Sequence, residues 1–356
     1  MEMYMESIGS DVAVEVVLPA AVEPEGMLLR AQQLRAAGEG HVVLTMEATG
    51  ISFAEQQMRR GKYYDQPPFP FVPGYDLVGV VSEVGAGVAT ELIGRRFAAV
   101  TKTGAWADRV EVAAADLLEV PDGLDPVSVE AAVVNGITAW RMLHEVARVR
   151  PGGRILVLGA NGGVGSTLVQ LAVRSGIEVI GTAAVRHHGL LRELGAAPLA
   201  ALEGAALADA VRAHAPGGLD AVFDHVGGRG VRTSWSLLRR GGALVSYGTA
   251  STKNVAGSSQ LPVLKLFGAL AIWNALPNGR RASFFNFWAG KKRDPRGFRA
   301  RQASAFTAVC AALARGELRP LIAATMPLDQ ASAALTLAES RTVAGKVILT
   351  PSTPRT

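Results

Sequence analysis

The sequence predicts an α/β protein, a doubly wound parallel sheet preceded by a β-rich domain. Three observations carry that expectation. Residues 154–172 read as a strand, a glycine-rich turn and a helix; strand and helix alternate after Pro126; and before about Val120 short β-like runs are divided by Gly and Pro.

In chain order, the β-like runs are residues 12–18, 41–46, 77–84 and 97–100. Helical spacing of apolar residues then covers 128–146, and Arg150-Pro151-Gly152-Gly153 turns the chain into the strand at 154–158. That strand is uncharged after Arg154 and mostly branched, as a strand buried on both faces should be. Val164, Leu168, Leu171 and Ala172 form the inner stripe of the helix that follows. Further strands are expected at 178–182, 219–224 (a fourth) and 243–248 (a fifth), with a helix at 190–194. Residues 266–273 read as an apolar terminal strand, whose open edge predicts a homodimer. A helix over 303–315 ending at Gly316, a helix over 328–339 and a strand over 346–349 complete the chain.

The turn Ala160-Asn161-Gly162-Gly163-Val164-Gly165 has the composition of a dinucleotide site. Gly162 allows the backbone to approach a pyrophosphate, Gly165 allows helix and strand to pack closely, and the free N–H groups of the helix start face the anion. Ala160 stands where the usual pattern has its first glycine. Taken alone, such a turn also joins strand to helix with no ligand.

Composition narrows the function further. A chain of 356 residues accommodates two domains, and its one cysteine, Cys310, excludes an intramolecular disulfide and any multi-cysteine zinc site. Residues 1–11 carry three acids and lack a basic region followed by an apolar run, and no apolar run reaches the ~18 residues of a membrane span, so a cytoplasmic protein is expected. The net charge of +5 is modest. Its densest source, the basic segment 280–301, is interrupted by Asp294 and Pro295 and reads as a solvated face, with no nucleic-acid motif beside it.

Several motifs then resemble, in order, one family across nearly the whole chain. They are residues 50–55 with 59–63, residues 67–79, Gly136-Ile137-Thr138-Ala139-Trp140, the turn at 160–165, residues 220–228, Ser246-Tyr247-Gly248, and Gly345-Lys346-Val347-Ile348-Leu349. The resemblance is to the zinc-independent quinone oxidoreductase branch of the medium-chain dehydrogenase/reductase superfamily. It implies a GroES-like β-barrel catalytic domain from residues 1–135 and 295–356, a Rossmann NADP-binding domain from 136–294, and an active site in the cleft. Zinc members carry Cys where this chain has Ser52 and His-Glu where it has Tyr75-Asp76, and a hydroxyl and a phenol are poor zinc ligands.

The same resemblance nominates Ser52, Glu55, Gln57 and Tyr63 for the substrate side. Tyr63 stands where related enoyl reductases carry a tyrosine implicated in proton donation, and an aromatic wall that only packs the ring is the alternative. On the cofactor side it implies Asn135 and Thr138 near the nicotinamide, the turn from Ala160 to Gly165, Val226, Tyr247 and Gly248 along the border, and Lys346. Asp224 either borders the cofactor or caps a helix. The strand at 178–182 ends in Thr182-Ala183-Ala184 with no acid for a ribose diol, then Arg186-His187-His188, which favours the 2′-phosphate of NADPH. Residues 284–288 read as a lid, a substrate wall or a dimer contact. The expected activity is zinc-free hydride transfer from NADPH to a quinone or an α,β-unsaturated carbonyl compound. A dedicated biosynthetic enoyl or ketoreductase and a non-catalytic NADP(H)-binding protein are the alternatives.

Overall fold

A computed structural model describes residues 12–33, 36–228, 230–248, 260–340 and 342–352. The acidic start that was read for a leader lies outside the described residues. The chain divides into two units, the first made of residues 1–134 and 322–356, the second of 135–321.

The first unit opens with the antiparallel pair β1 (Val12–Val17) and β2 (Leu28–Gln33). Next come β3 (His41–Ile51), the short helix α1 (Phe53–Arg59), β4 (Asp76–Val84), β5 (Arg96–Val100), β6 (Arg109–Ala113) and β7 (Leu118–Glu119). Residues 42–45 of the eleven-residue β3 pair with both β4 and β6, so this one strand serves two neighbours along a shared stretch. Val42, Leu44, Met46, Leu77 and Trp106 form the centre of the core, and Trp106 places its Nε1–H 3.1 Å from the Gly50 carbonyl, satisfying the one polar atom of a fully buried indole.

Helix α2 (Pro126–Arg141) carries the chain into the second unit and ends in a wide turn closed by Arg148 at φ 54°. Strand and helix then alternate: β8 (Arg154–Val157), α3 (Gly163–Arg174), β9 (Glu178–Ala183), α4 (His188–Glu193), β10 (Ala197–Ala200), α5 (Gly204–His214), β11 (Leu219–Asp224), α6 (Gly230–Ser236), β12 (Leu238–Ser246), α7 (Gln260–Ala275), β13 (Arg281–Phe284) and α8 (Pro295–Ala314). All six strands run parallel in the order β10-β9-β8-β11-β12-β13. Written from the first strand of the unit, that is the 3-2-1-4-5-6 order of a Rossmann sheet, with its reversal between β8 and β11. The chain returns to the first unit through β14 (Ile322–Pro327), α9 (Ala331–Glu339) and β15 (Lys346–Thr350); β15 pairs with β3 and extends that sheet.

Two expectations need correction. Residues 266–273 belong to helix α7, not to a terminal strand; Leu266 and Leu270, four apart, face the core while Phe267 and Ile272 are exposed. Leu and Ala are strong helix formers, and a run apolar on every side carries no period that separates helix from strand. The last strand is β13, where the Asn274 amide takes both the N–H and the C=O of Ala282 at 2.8 Å, so the open apolar edge behind the dimer expectation is not the one predicted. The return to the first unit falls at Ile322 rather than 295. Helix α8 stays with the nucleotide unit because Val309 packs on Gly136, and the Gln170 side chain holds the Arg319 N–H at 2.9 Å and its carbonyl at 3.1 Å.

The basic and aromatic segment after β13 is packed into its own unit. Phe285 and Phe287 are buried, Trp288 stacks on Phe298, and the Lys291 ammonium lies 4.8 Å from the Trp288 ring centre. Among the described residues no helix is long and apolar enough to cross a membrane.

Candidate active site

The glycine turn lies at the C-terminal end of β8, at the reversal of strand order. Gly159, at φ +66°, starts the turn, and its N–H reaches the Thr182 hydroxyl at 3.1 Å while the Ala160 N–H donates to the Thr182 carbonyl at 2.9 Å. Thr182 therefore braces the turn from β9. Gly162 caps α3 without a side chain, leaving the first-turn N–H groups of Gly163, Val164 and Gly165 with no intrahelical acceptor.

A test of whether this turn fits a pyrophosphate is what a methyl group would meet at each glycine. At Gly165 it would collide with the Gly159 carbonyl, and at Gly163 with the Asn135 amide, so those two positions are closed by protein. At Gly162 the nearest atom is Gly159 O at 3.5 Å, so the space beside that backbone is open. An open backbone face next to unpaired N–H groups fits an anionic oxygen. Ala160 does not share this face; it is fully buried with its methyl against Gly181, so any contribution to a ligand comes from its backbone. Asn161 and Val164 are half-buried, and Asn135 and Thr138 are buried on α2, with the Asn135 amide beside Gly163.

At the end of β9, Ala183 is buried and Arg186 is exposed, its Nε 3.2 Å from His187 Nε2; His188 Nε2 lies 3.4 Å from the Ala183 carbonyl. Burial, and then the Arg186 charge, hold His187 below its ordinary value, so at neutral pH the cation here is Arg186. At the end of β11, Asp224 ties down the loop that follows it and, among the described residues, bonds no first-turn N–H of a helix. Its Oδ1 accepts from the Val226 and Gly227 N–H groups at 2.9 Å and its Oδ2 from the Ser234 hydroxyl at 2.7 Å. Tyr247 donates its N–H to the Asp224 carbonyl at 3.0 Å, and the Gly248 backbone runs against His225.

His225, which follows Asp224, lies beneath the glycine turn. Its ring presses on Gly159, where any side chain would strike it, and its buried Nδ1 has no hydrogen-bond partner among the described residues. Burial lowers its pKa, with Asp224 and the Leu158 backbone pulling the other way, so the neutral ring forms the floor of the glycine turn.

In the first unit, the residues nominated for substrate do different work. Ser52 caps α1, accepting from the Ala54 N–H at 3.0 Å, and Glu55 closes a capping box on the Ser52 N–H at 2.9 Å and on its hydroxyl. The other oxygen of Glu55 accepts the Tyr75 N–H at 2.7 Å. Both oxygens of this fully buried carboxyl, which burial pushes above its ordinary pKa, are thus committed, and Ser52 and Glu55 are frame rather than substrate contacts. Gln57 is buried with Nε2 unpaired among the described residues. Tyr63 is half-buried, its hydroxyl 3.2 Å from that of Tyr75, and burial, then the neighbouring phenols, hold its pKa far above the ordinary range.

Lys346, expected on the cofactor side, is paired inside the first unit. Its Nζ lies 3.0 and 3.1 Å from the two Asp76 oxygens and 2.7 Å from Glu130 Oε1, with all three side chains buried. Although burial pulls against it, Asp76 and Glu130 hold Lys346 above its ordinary pKa, while burial and the Asp76 charge raise Glu130. Asp76 also accepts the Val134 N–H on α2 at 3.1 Å.

Comparison with known proteins agrees with this architecture. Residues 38–122 match the alcohol dehydrogenase GroES-like domain model and residues 194–349 the zinc-binding dehydrogenase model. The chain is 34% identical over 217 residues to a synaptic vesicle membrane protein VAT-1 homolog of Rattus norvegicus, covering 61% of this chain and 54% of that one, about half its length. It is 29% identical to a 2-haloacrylate reductase of Burkholderia sp., over 92% of this chain and 96% of that one. Among solved structures, a mycobacterial quinone oxidoreductase superposes with a TM-score of 0.79 at 25% identity, covering 95% of this chain and 100% of that one. A mycobacterial protein complexed with NADPH superposes at 0.80 with the same identity and coverage. With the two dehydrogenase domain models in order, a Rossmann sheet in 3-2-1-4-5-6 order and these relatives, the chain belongs to the medium-chain dehydrogenase/reductase superfamily.

Proposed function

We propose that the protein is an NADPH-dependent reductase of a quinone or an α,β-unsaturated carbonyl compound that works without zinc. The observation that carries this reading is the open face at Gly162, beside unpaired helix N–H groups, with Arg186 at the end of the neighbouring strand and no acid there to hold a ribose diol. The NADPH complex and the haloacrylate reductase among the similar proteins support it.

When bound, NADPH supplies a hydride. The residues of the chain do the rest. The glycine turn holds the pyrophosphate, Arg186 takes the 2′-phosphate, and Tyr63 donates its phenolic hydrogen to the acceptor oxygen as negative charge builds there. The positions that would ligate zinc are spent: Ser52 on the helix cap, Tyr75 on Tyr63, and Asp76 on Lys346. An acceptor that spreads charge onto oxygen by conjugation needs only hydrogen bonds in place of a Lewis acid. A homodimer belongs to the same reading, now resting on the exposed Phe267, Ile272 and Leu276 of and after α7 rather than on a strand edge.

The test is the NADPH absorbance decay with a panel of quinones and enones, run with and without a strong chelator. Turnover of at least one acceptor, unchanged by the chelator, is expected. No turnover of any acceptor despite tight NADPH binding would leave a nucleotide-binding protein, and loss of turnover with the chelator would restore the metal.

A further inference from the structure

We infer that Tyr75 is a positioning residue: its buried phenol donates to the Tyr63 hydroxyl and so orients and polarises the Tyr63 hydrogen toward the acceptor oxygen. The inference rests on the reading of Tyr63 as the donor, and it assigns to Tyr75 a role of its own rather than that of a lost metal ligand.

Tyr75 is the more firmly held of the pair. It is 5% exposed, its N–H is fixed by Glu55 at 2.7 Å, and its carbonyl accepts from Thr101 and Lys102 at 2.9 and 3.1 Å. Glu55 is itself locked by the capping box at Ser52, so the path from the start of α1 to the Tyr75 backbone is fixed. Tyr63 lies on the turn after α1, where Gln66 accepts its N–H at 3.3 Å and donates to the carbonyls of Met58 and Pro67 at 3.1 and 3.2 Å. Its hydroxyl meets that of Tyr75 at 3.2 Å, and it is the half-buried member of the pair.

A hydroxyl that accepts a hydrogen bond becomes a stronger donor, because the two bonds polarise each other. If Tyr75 donates, the Tyr63 hydrogen is turned away from Tyr75, toward the side where the exposed Tyr64 phenol also lies. Burial keeps the Tyr63 phenol protonated through the neutral range, so the hydrogen is present whenever substrate arrives. Glu55 then acts at two removes: it sets the Tyr75 backbone, which sets the phenol, which sets Tyr63.

The experiment uses the full chain, as wild type, Tyr63→Phe, Tyr75→Phe and the double variant, with NADPH and the fastest acceptor of the panel. Tyr75→Phe should lower kcat by roughly 2- to 13-fold, the range of one hydrogen bond, with KM and the NADPH Kd unchanged and a larger solvent isotope effect on kcat. In the Tyr63→Phe background the same change should cost nothing more. Equal losses in both backgrounds would overturn the inference and leave Tyr75 a packing residue.

A substrate-free measurement separates this failure from failure of the functional reading. With tyrosine labelled at Cζ, the Tyr63 carbon resonance, assigned by its disappearance in Tyr63→Phe, should shift in Tyr75→Phe. No shift would overturn the hydrogen bond whatever the enzyme does. A shift with full turnover in Tyr63→Phe would overturn the inference by removing the donor role it rests on.

Discussion

The two units handle polarity in opposite ways. At the glycine turn of the nucleotide unit the polar groups are backbone N–H groups made accessible by removing side chains, and the protein supplies almost no side-chain charge: Gly162 is open and Asp224 is spent on its own loop. In the first unit the polar groups are buried side chains paired with one another, Lys346 with Asp76 and Glu130, and Glu55 with Ser52 and the Tyr75 backbone. The difference teaches where each is fragile. The first surface tolerates changes of charge and fails on added volume, whereas the second tolerates little loss of charge, because a partner left behind is an uncompensated ion in a dry interior.

The largest effect should therefore fall on the first unit. Lys346→Met strands two buried carboxyls and should lower stability by about 3–5 kcal/mol, read by urea unfolding; a loss under about 1 kcal/mol would mean that the carboxyls simply take up protons and that the cluster is not what holds β15, β4 and α2 together. The effect on the nucleotide surface should be one of ligand rather than fold. Arg186→Ala should weaken NADPH by about tenfold or less, since the side chain is exposed, and leave NADH and the melting temperature unmoved. Equal losses for both nucleotides, followed by titration, would make Arg186 a support of its loop.

The smallest effect sharpens the contrast through pH. His187 and His225 of the nucleotide unit have lowered pKa values, so the unfolded chain binds more protons near pH 6 and these groups withdraw stability as pH falls through about 6.5. Glu55 and Glu130 of the first unit have raised values, so the folded state binds more protons above about pH 4.5, and acidification toward that value adds stability. Amide exchange from pH 7 to pH 5.5, corrected for intrinsic rates, should show protection falling in the nucleotide unit relative to the first. The same trend in both units would contradict the contrast.

Legibility in the sequence follows the same divide. The glycine turn could be read because close backbone approach demands glycine within six consecutive residues, and the alternation of strand and helix around it is local. The cluster could not, because Lys346 is 270 residues from Asp76 and nothing near either position announces the pairing. Ser52 and Glu55 do carry a legible local signal, the Ser-x-x-Glu spacing of a capping box. Residues 266–273 failed for a different reason: an apolar run without period is compatible with either a strand or a helix, and only its packing in α7 decides. Short β10, Ala197–Ala200, has too little β-branched content to be seen between its neighbours.

The central claim, that the open backbone face at Gly162 receives the pyrophosphate of NADPH, is tested most directly by Gly162→Val, assayed by calorimetric titration with NADPH beside a melting curve. Gly162 has φ −80° and ψ 170°, ordinary extended backbone, and the nearest protein atom to an added Cβ is 3.5 Å away, so the melting temperature should stay close to wild type. The added methyls would occupy the space of the phosphate, and NADPH affinity should fall by at least about tenfold, or about 1.4 kcal/mol. Unchanged NADPH affinity in a normally folded Gly162→Val protein would contradict the account.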